Sequence, residues 1–100
     1  MKKFRVMIEG ENFNLTVNDI KGSYGFYTAR FVAAESELQA QEMALVLVIN
    51  ELHEIFEDEH DLGTRLKTDE IDEVSSFGDN VVPGAGFSWY PMEKDKGRRT

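Results

Sequence analysis

Two histidines and a run of acids in the second half of the chain come closest, by type and spacing, to a metal site. Residues 53–61 read His-Glu-Ile-Phe-Glu-Asp-Glu-His-Asp. On a helix, His53 and Glu57 would be one turn apart, and Glu57 and His60 have the spacing of carboxylate-bridged metal helices. A zinc-protease motif would need histidine at position 57, and a two-metal bundle would need a second helix, which a dimer could supply. His53, Glu57 and His60 are therefore candidate metal ligands, with a solvated acidic helix end as the alternative.

The glycine-rich loop at residues 81–86, Val-Val-Pro-Gly-Ala-Gly, is a second candidate. Gly84 and Gly86 free the backbone to approach a ligand or to present amides to an anion. However, no Lys-Ser or Lys-Thr pair follows, and the next element is predicted to be a strand instead of a helix. The loop would therefore lack the lysine and the helix N-terminus that complete a phosphate site. A structural turn into the last strand is the favoured interpretation.

Aromatic residues are dense enough to line a ligand pocket as well as to fill a core. In the extended run 24–34, alternation places residues 27, 29, 31 and 33 on one side and residues 24, 26, 28, 30 and 32 on the other. Both sides carry aromatic rings, so a helix on one side would leave the other for a ligand or a partner sheet. The candidate ligand-binding residues are Arg30, Tyr27, Trp89 and Tyr90, with core or dimer packing as the favoured alternative.

Other catalytic chemistry has little support in this chain. It contains no cysteine, which excludes disulfides, thiolate metal sites and cysteine nucleophiles. Neither histidine forms a recognisable motif with a serine. The 19 acidic residues produce many chance carboxylate neighbours, so a pair of neighbouring carboxylates does not indicate a catalytic site. We therefore favour a protein that is not an enzyme, and we expect no cofactor.

Composition favours one acidic domain. The 100 residues suffice for a single core, and the net charge of −8 disfavours direct binding to nucleic acid. The longest apolar run, residues 43–49, has seven residues, whereas a bilayer-spanning helix needs about 20. We therefore expect no membrane association, and the lack of cysteine favours the cytoplasm. The predicted organisation is one α+β domain over residues 1–93 and a flexible basic tail over residues 94–100.

The strands that must position these residues follow from local patterns. Apolar residues at every second position between residues 3 and 17 predict a strand, and Gly10 marks a bulge or tight turn where the parity changes. Residues 24–34 predict a second strand, antiparallel to the first, after a turn at residues 18–22. Shorter strands are predicted around residues 69–75 and 87–90.

A single long helix is predicted between these strand pairs. Ser36-Glu37-Leu38-Gln39 has the form of a capping box, and the acids after Phe56 predict that the helix ends near Asp58. Apolar residues cover more than one face of the helix, whereas a sheet covers only one. The remaining apolar surface needs either a wrapped loop or another subunit, and a homodimer interface at Met43, Val46 and Leu47 is the simpler explanation. The predicted fold is thus β-β-α-β-β, with one long helix on an antiparallel sheet of about four strands, ferredoxin-like in outline.

Three segments carry a resemblance to known proteins. They are Ile-Glu-Gly-Glu-Asn-Phe at residues 8–13, Gly-Phe-Tyr-Thr-Ala-Arg-Phe-Val-Ala-Ala at 25–34 and Val-Pro-Gly-Ala-Gly-Phe-Ser-Trp-Tyr at 82–90. In these motifs the chain resembles a family of short bacterial proteins to which no activity is assigned. The resemblance implies a bacterial origin, and it supplies no catalytic residue.

Three functional hypotheses follow. The first is a noncatalytic interaction or accessory protein that acts as a homodimer and meets a protein partner through surplus helix and sheet surface. The second is a small-molecule binding domain or enzyme that uses an aromatic sheet face with Arg30, for which a cavity bordered by Arg30 and Trp89 would be expected. The third is an acidic decoy that occupies a nucleic-acid-binding protein, which requires carboxylates arrayed on one surface.

Overall fold

A computed structural model of the chain describes residues 1–57 and 62–92. The elements are β1 (Lys2–Val17), β2 (Ile20–Ala34), α1 (Glu37–His53), a short 3-10 helix η1 (Leu62–Arg65), β3 (Leu66–Val74) and β4 (Ser88–Pro91). Four strands form one antiparallel sheet in the order β3-β1-β2-β4. The predicted α+β class, with one α-helix and a four-stranded antiparallel sheet, is confirmed. The predicted order β-β-α-β-β is wrong in one respect, because it omits η1 before β3. Within the described ranges, no helix is both long and apolar enough to cross a membrane.

β1 and β2 form a long hairpin at the centre of the sheet. They are joined at Asn18 and Asp19, whose φ angles of 53° and 66° are those of a two-residue hairpin turn. The turn is therefore tighter than the predicted one. The register shifts between Gly10 and Phe13, which confirms the bulge predicted at Gly10. Because the shift changes the parity of β1, Ile8 and Phe13 both face the core.

One face of the sheet is covered by α1. The helix buries four residues spaced one turn apart: Ala40, Ala44, Val48 and Leu52. Its start follows the predicted cap, because Ser36 Oγ accepts from the Gln39 amide at 3.2 Å. The Gln39 side chain accepts in turn from the Glu35 amide at 2.6 Å. The helix ends at His53, earlier than predicted, and residues 58–61 lie outside the described ranges.

The crossover from β2 through α1 to β3 is a split β-α-β unit. β2 and β3 both run antiparallel to β1, which lies between them, so they are parallel to each other. This unit corresponds to half of a ferredoxin-like arrangement. The described part of the chain contains no second α-helix to complete the other half.

Candidate functional site

Arg30 lies inside the fold, between the sheet and α1. The residue is only 1% exposed. Its Nη2 donates to Glu51 Oε1 at 2.6 Å, and its Nη1 donates to the Thr28 hydroxyl and to the Ala29 carbonyl, the latter at 2.9 Å. The guanidinium carbon lies 5.5 Å from the centre of the Phe87 ring. The fold itself therefore uses this guanidinium, and a ligand on the far side of the sheet could not reach it.

Glu51 connects this arginine to the glycine-rich loop. Its second carboxylate oxygen accepts from the Gly86 amide at 2.8 Å. The Gly86 carbonyl accepts from the Thr28 hydroxyl at 2.7 Å. We call the group formed by Arg30, Thr28, Glu51 and Gly86 the latch, because it joins β2, α1 and the loop through charge-assisted hydrogen bonds.

The rest of the loop lies against the outer edge of β2. The Phe31 amide donates to the Pro83 carbonyl at 2.8 Å. Gly84 has a φ of 98°, and a Cβ there would lie 3.0 Å from the Ala29 carbonyl oxygen. Glycine is therefore required for the close approach. This arrangement favours the structural interpretation of residues 81–86, since the loop covers a strand edge that β4 pairs only at Tyr24–Tyr27.

The face of the sheet opposite α1, which we call the open face, is apolar along β2. That strand contributes Tyr27, Ala29, Phe31 and Ala33 to it, opposite the β1 residues Glu9, Met7, Arg5 and Lys3. Tyr27 is 43% exposed, and the other three residues of this row, Ala29, Phe31 and Ala33, are half-buried. Phe77 packs edge-on against Phe31, with ring centroids 6.0 Å apart. A solvated antiparallel sheet carries polar residues on its outer face, so this apolar row is unusual for a surface.

At the β4 end of the open face, two tyrosines and a carboxylate meet. The rings of Tyr27 and Tyr90 stack with their centroids 5.4 Å apart. The Tyr90 hydroxyl donates to Glu9 Oε2 at 3.0 Å, and Glu9 is only 8% exposed. Lys67 Nζ lies 3.5 Å from Glu9 Oε1. We call Glu9, Tyr27 and Tyr90 the tyrosine–glutamate cluster.

Gly25 makes this cluster sterically possible. A Cβ at Gly25 would lie 2.6 Å from the Tyr90 hydroxyl oxygen and 2.8 Å from the Gly10 carbonyl oxygen. Because glycine has no Cβ, Tyr90 can cross β2 and reach Glu9 on β1. Gly25 also lies directly opposite Tyr90 in the β2–β4 ladder.

The electrostatics of the cluster keep both phenols protonated. The negative charge of Glu9 raises the pKa of Tyr27 above its ordinary value of 10.0. Burial raises the pKa of Tyr90, and the hydrogen bond to Glu9 adds to this effect. Neither phenol is therefore suited to act as a base at neutral pH. The cluster offers a buried carboxylate beside aromatic rings, which is chemistry for binding a cation.

The sheet separates the four residues predicted to bind a ligand. Arg30 and Trp89 lie on the helix side, where Trp89 packs edge-on against Phe26 with their ring centroids 5.1 Å apart. Tyr27 and Tyr90 lie on the open face. A cleft of about 510 Å³ opens there between β2 and the loop. It is lined by Tyr27 among others, but by neither Arg30 nor Trp89.

The metal candidates are not brought together in the described residues. His53 is the last residue of α1 and is exposed, and Glu57 is exposed in the turn beyond it. Because α1 ends at His53, the two are not one turn apart on a continuous helix. His60 lies outside the described ranges. Within those ranges, no three His, Cys, Asp or Glu side chains are grouped as metal ligands would be.

The residues predicted to form a helix interface differ in exposure. Met43 is 39% exposed and Val46 is 55% exposed. Leu47 is half-buried and packs against the core. The sheet therefore takes up part of the apolar surplus of α1, and Met43 and Val46 remain on its outer side.

Sequence reasoning missed two acids that the structure makes important. Glu51 is three residues after Val48 and seven after Ala44, so it lies on the buried face of α1. An acid on an apolar helix face predicts a buried cationic partner, and this signal was available. Glu9 carries no such signal, because it is one of 19 acids and follows the strand alternation of β1.

Comparison with known proteins gives no identification. No protein-family model, curated protein or solved structure matches this chain. Its function has to be inferred from its own residues and contacts.

Proposed function

We propose that this protein is a noncatalytic interaction protein that acts as a homodimer, and that two copies meet through the open face of the sheet. The observation that carries the proposal is the row of aromatic and apolar residues at 27, 29, 31 and 33, on the side of the sheet away from α1. A two-layer fold places no second layer on this face, which within the described residues is covered in part by Phe77 against Phe31, and a second sheet packs well on such a face. We assign the protein to the bacterial cytoplasm because it lacks cysteine and resembles a bacterial family.

The size of the open face sets a lower bound on such an interface. Along β1 from Lys3 to Glu9, three strands lie side by side, because β4 pairs with β2 only at Tyr24–Tyr27. With strands ~4.8 Å apart and a rise of ~3.3 Å per residue, this part of the face measures roughly 14 by 23 Å, or ~330 Å² in projection. Two such faces total roughly 660 Å² before side-chain relief is counted, and a specific interface needs about 1,000 Å², so a dimer must also use the surface around this patch.

The charges on the open face also favour a second copy over a highly charged partner. Arg5 pairs with Asp72 at 3.0 Å and with Glu70 at 3.5 Å, and Glu9 pairs with Lys67. These charges lie on β1 and β3, beside the apolar row of β2. An apolar centre with a polar, internally neutralised rim is the usual composition of a protein–protein interface.

Light scattering over a concentration series, on three proteins, tests this interface. The Ala33→Glu variant adds a charge to the open face without removing core volume. The Val46→Glu variant adds the same charge to the outer side of α1, where the sequence predicted an interface. We expect the wild type and Val46→Glu to be dimers near twice 11.4 kDa and Ala33→Glu to be a monomer.

The other outcomes are equally informative. If Val46→Glu is monomeric and Ala33→Glu is dimeric, the interface lies on the helix at Met43, Val46 and Leu47. If the wild type is monomeric at every concentration, the homodimer is refuted. Circular dichroism of both variants shows whether either change unfolds the protein.

The acidic decoy remains a second candidate because of β3. This edge strand exposes four carboxylates: Asp69, Glu70, Asp72 and Glu73. They lie along one edge of the sheet, but Glu70 and Asp72 pair with Arg5 and alternation places Glu73 on the other face. Charged residues on an edge strand also prevent edge-to-edge association. Binding to a basic nucleic-acid-binding protein that weakens steeply with salt, and is lost when these four become amides, would support the decoy. Salt-independent binding would exclude it.

A further inference from the structure

Glu9 is the only acidic residue that is buried in the described part of the chain. Its contacts include neutral phenols, with the Tyr90 hydroxyl donating to it and Tyr27 beside it, and the ammonium of Lys67 at 3.5 Å. The Lys67 side chain is 63% exposed, so the cation that compensates Glu9 belongs to a long surface side chain. The ion pair of the latch is different, because there a 1% exposed guanidinium lies 2.6 Å from its carboxylate. The charge of Glu9 is therefore compensated only loosely by the fold.

Aromatic and apolar surface adjoins this carboxylate. Tyr27 is 43% exposed and its ring stacks on that of Tyr90, so an aromatic ring is available beside Glu9. The faces of such rings attract cations. Tyr27 also lines the cleft of about 510 Å³ together with Ala29 and Phe31. The cleft is wide open to solvent, so it can contact the body of a small ligand without enclosing it.

We propose that the tyrosine–glutamate cluster binds a small organic ammonium ion. The charged group of the ligand displaces Lys67 from Glu9 and lies against Tyr27, and its apolar body enters the adjacent cleft. Lys67 then serves as an internal stand-in for the ligand, since it already holds an ammonium group near Glu9. The net charge of −8 raises the local concentration of cations around the chain. The site goes beyond the proposed function and does not require it.

Phenethylammonium is a suitable probe, because it combines an ammonium group with a flat apolar body. Its neutral isostere 2-phenylethanol is the matched control, and sodium chloride at equal ionic strength controls for screening. In a proton–nitrogen NMR titration, we expect the amides of Gly10, Gly25 and Tyr27 to shift in a saturable way with phenethylammonium and much less with the alcohol. Glu9→Gln, which keeps an acceptor for Tyr90, should weaken binding about tenfold or more because the charge is removed.

The decisive variant is Lys67→Met, which removes the competing ammonium. We expect it to bind phenethylammonium several-fold more tightly than the wild type, and misfolding cannot produce such a gain. Unchanged or weaker binding by Lys67→Met would overturn the displacement. Equal shifts with 2-phenylethanol would overturn the cation site. Shifts spread along β3 instead of at the cluster would indicate general ion condensation and would overturn it as well.

The Ala33→Glu variant separates this inference from the proposed dimer. Its charge lies six residues from Tyr27 along β2, and it should leave the cluster intact. Binding to both Ala33→Glu and the wild type supports the site. Binding to Ala33→Glu alone supports the site and a dimer that covers it. Binding to neither overturns the site and leaves the dimer to be decided by light scattering.

Discussion

Replacing Glu51 by alanine tests the latch. In the described chain, Glu51 is the only carboxylate within ion-pair distance of Arg30, and it also accepts from the Gly86 amide. Arginine keeps its charge at any pH at which a protein is folded. The variant would therefore hold a 1% exposed guanidinium that donates only to neutral oxygens.

The size of the effect follows from burial. Removing one partner of a buried ion pair costs about 3–5 kcal/mol. The Glu51 side chain is 27% exposed, so water can partly replace the missing oxygens. We therefore expect a loss of about 3 kcal/mol, near the lower end of that range. At 4–8 °C for each kcal/mol, the melting temperature should fall by roughly 12–24 °C.

Thermal and urea unfolding, followed by circular dichroism, measure this loss. Glu42→Ala is the matched control, because it removes an exposed acid from the same helix and should change stability by less than about 0.5 kcal/mol. Hydrogen exchange at the Gly86 amide reports on the loop separately, and we expect its protection to fall in Glu51→Ala.

A double variant distinguishes a lost ion pair from a lost contact. Arg30→Met combined with Glu51→Leu removes both charges and keeps most of the apolar volume, so this protein should be more stable than Glu51→Ala. If Glu51→Ala melts within about 3 °C of Glu42→Ala, the buried charge is not compensated by Glu51 and the latch is refuted.

Two further predictions concern the tyrosine–glutamate cluster. Gly25→Ala should lower the free energy of unfolding in urea by about 1–3 kcal/mol, because its Cβ would lie 2.6 Å from the Tyr90 hydroxyl oxygen. Gly22→Ala is the control and should be nearly neutral, since the nearest atom to its Cβ is 3.5 Å away. Equal losses of stability in the two variants would show that Tyr90 moves aside freely. Stability should also depend on alkaline pH. Because burial and Glu9 raise the pKa of Tyr90, the folded chain keeps a proton that the unfolded chain releases near pH 10.0, so the free energy of unfolding should fall above that pH. Tyr90→Phe should make this fall shallower in urea unfolding, and an unchanged pH profile would refute the assignment.

Patterns within a few residues were sufficient to predict most of the elements. Alternation located β1 and β2, the change of parity located the bulge at Gly10, and Ser36 located the start of α1. The end of α1 at His53 and the turn η1 were not predicted. Helix ends depend on the contacts of the last turn, and such boundaries are the least certain feature of a local pattern.

The candidate sites depend on contacts between distant parts of the chain. Alternation correctly separated Arg30 from Tyr27, but it could not tell which side α1 would cover. The ion pair of the latch joins Arg30 and Glu51, 21 positions apart, and the Tyr90 to Glu9 hydrogen bond joins residues 81 positions apart. Both contacts are set by strand register and by the face on which the helix packs. A local sequence pattern specifies neither the register nor the packed face, because side-chain periodicity assigns residues to two faces without identifying which face becomes the core.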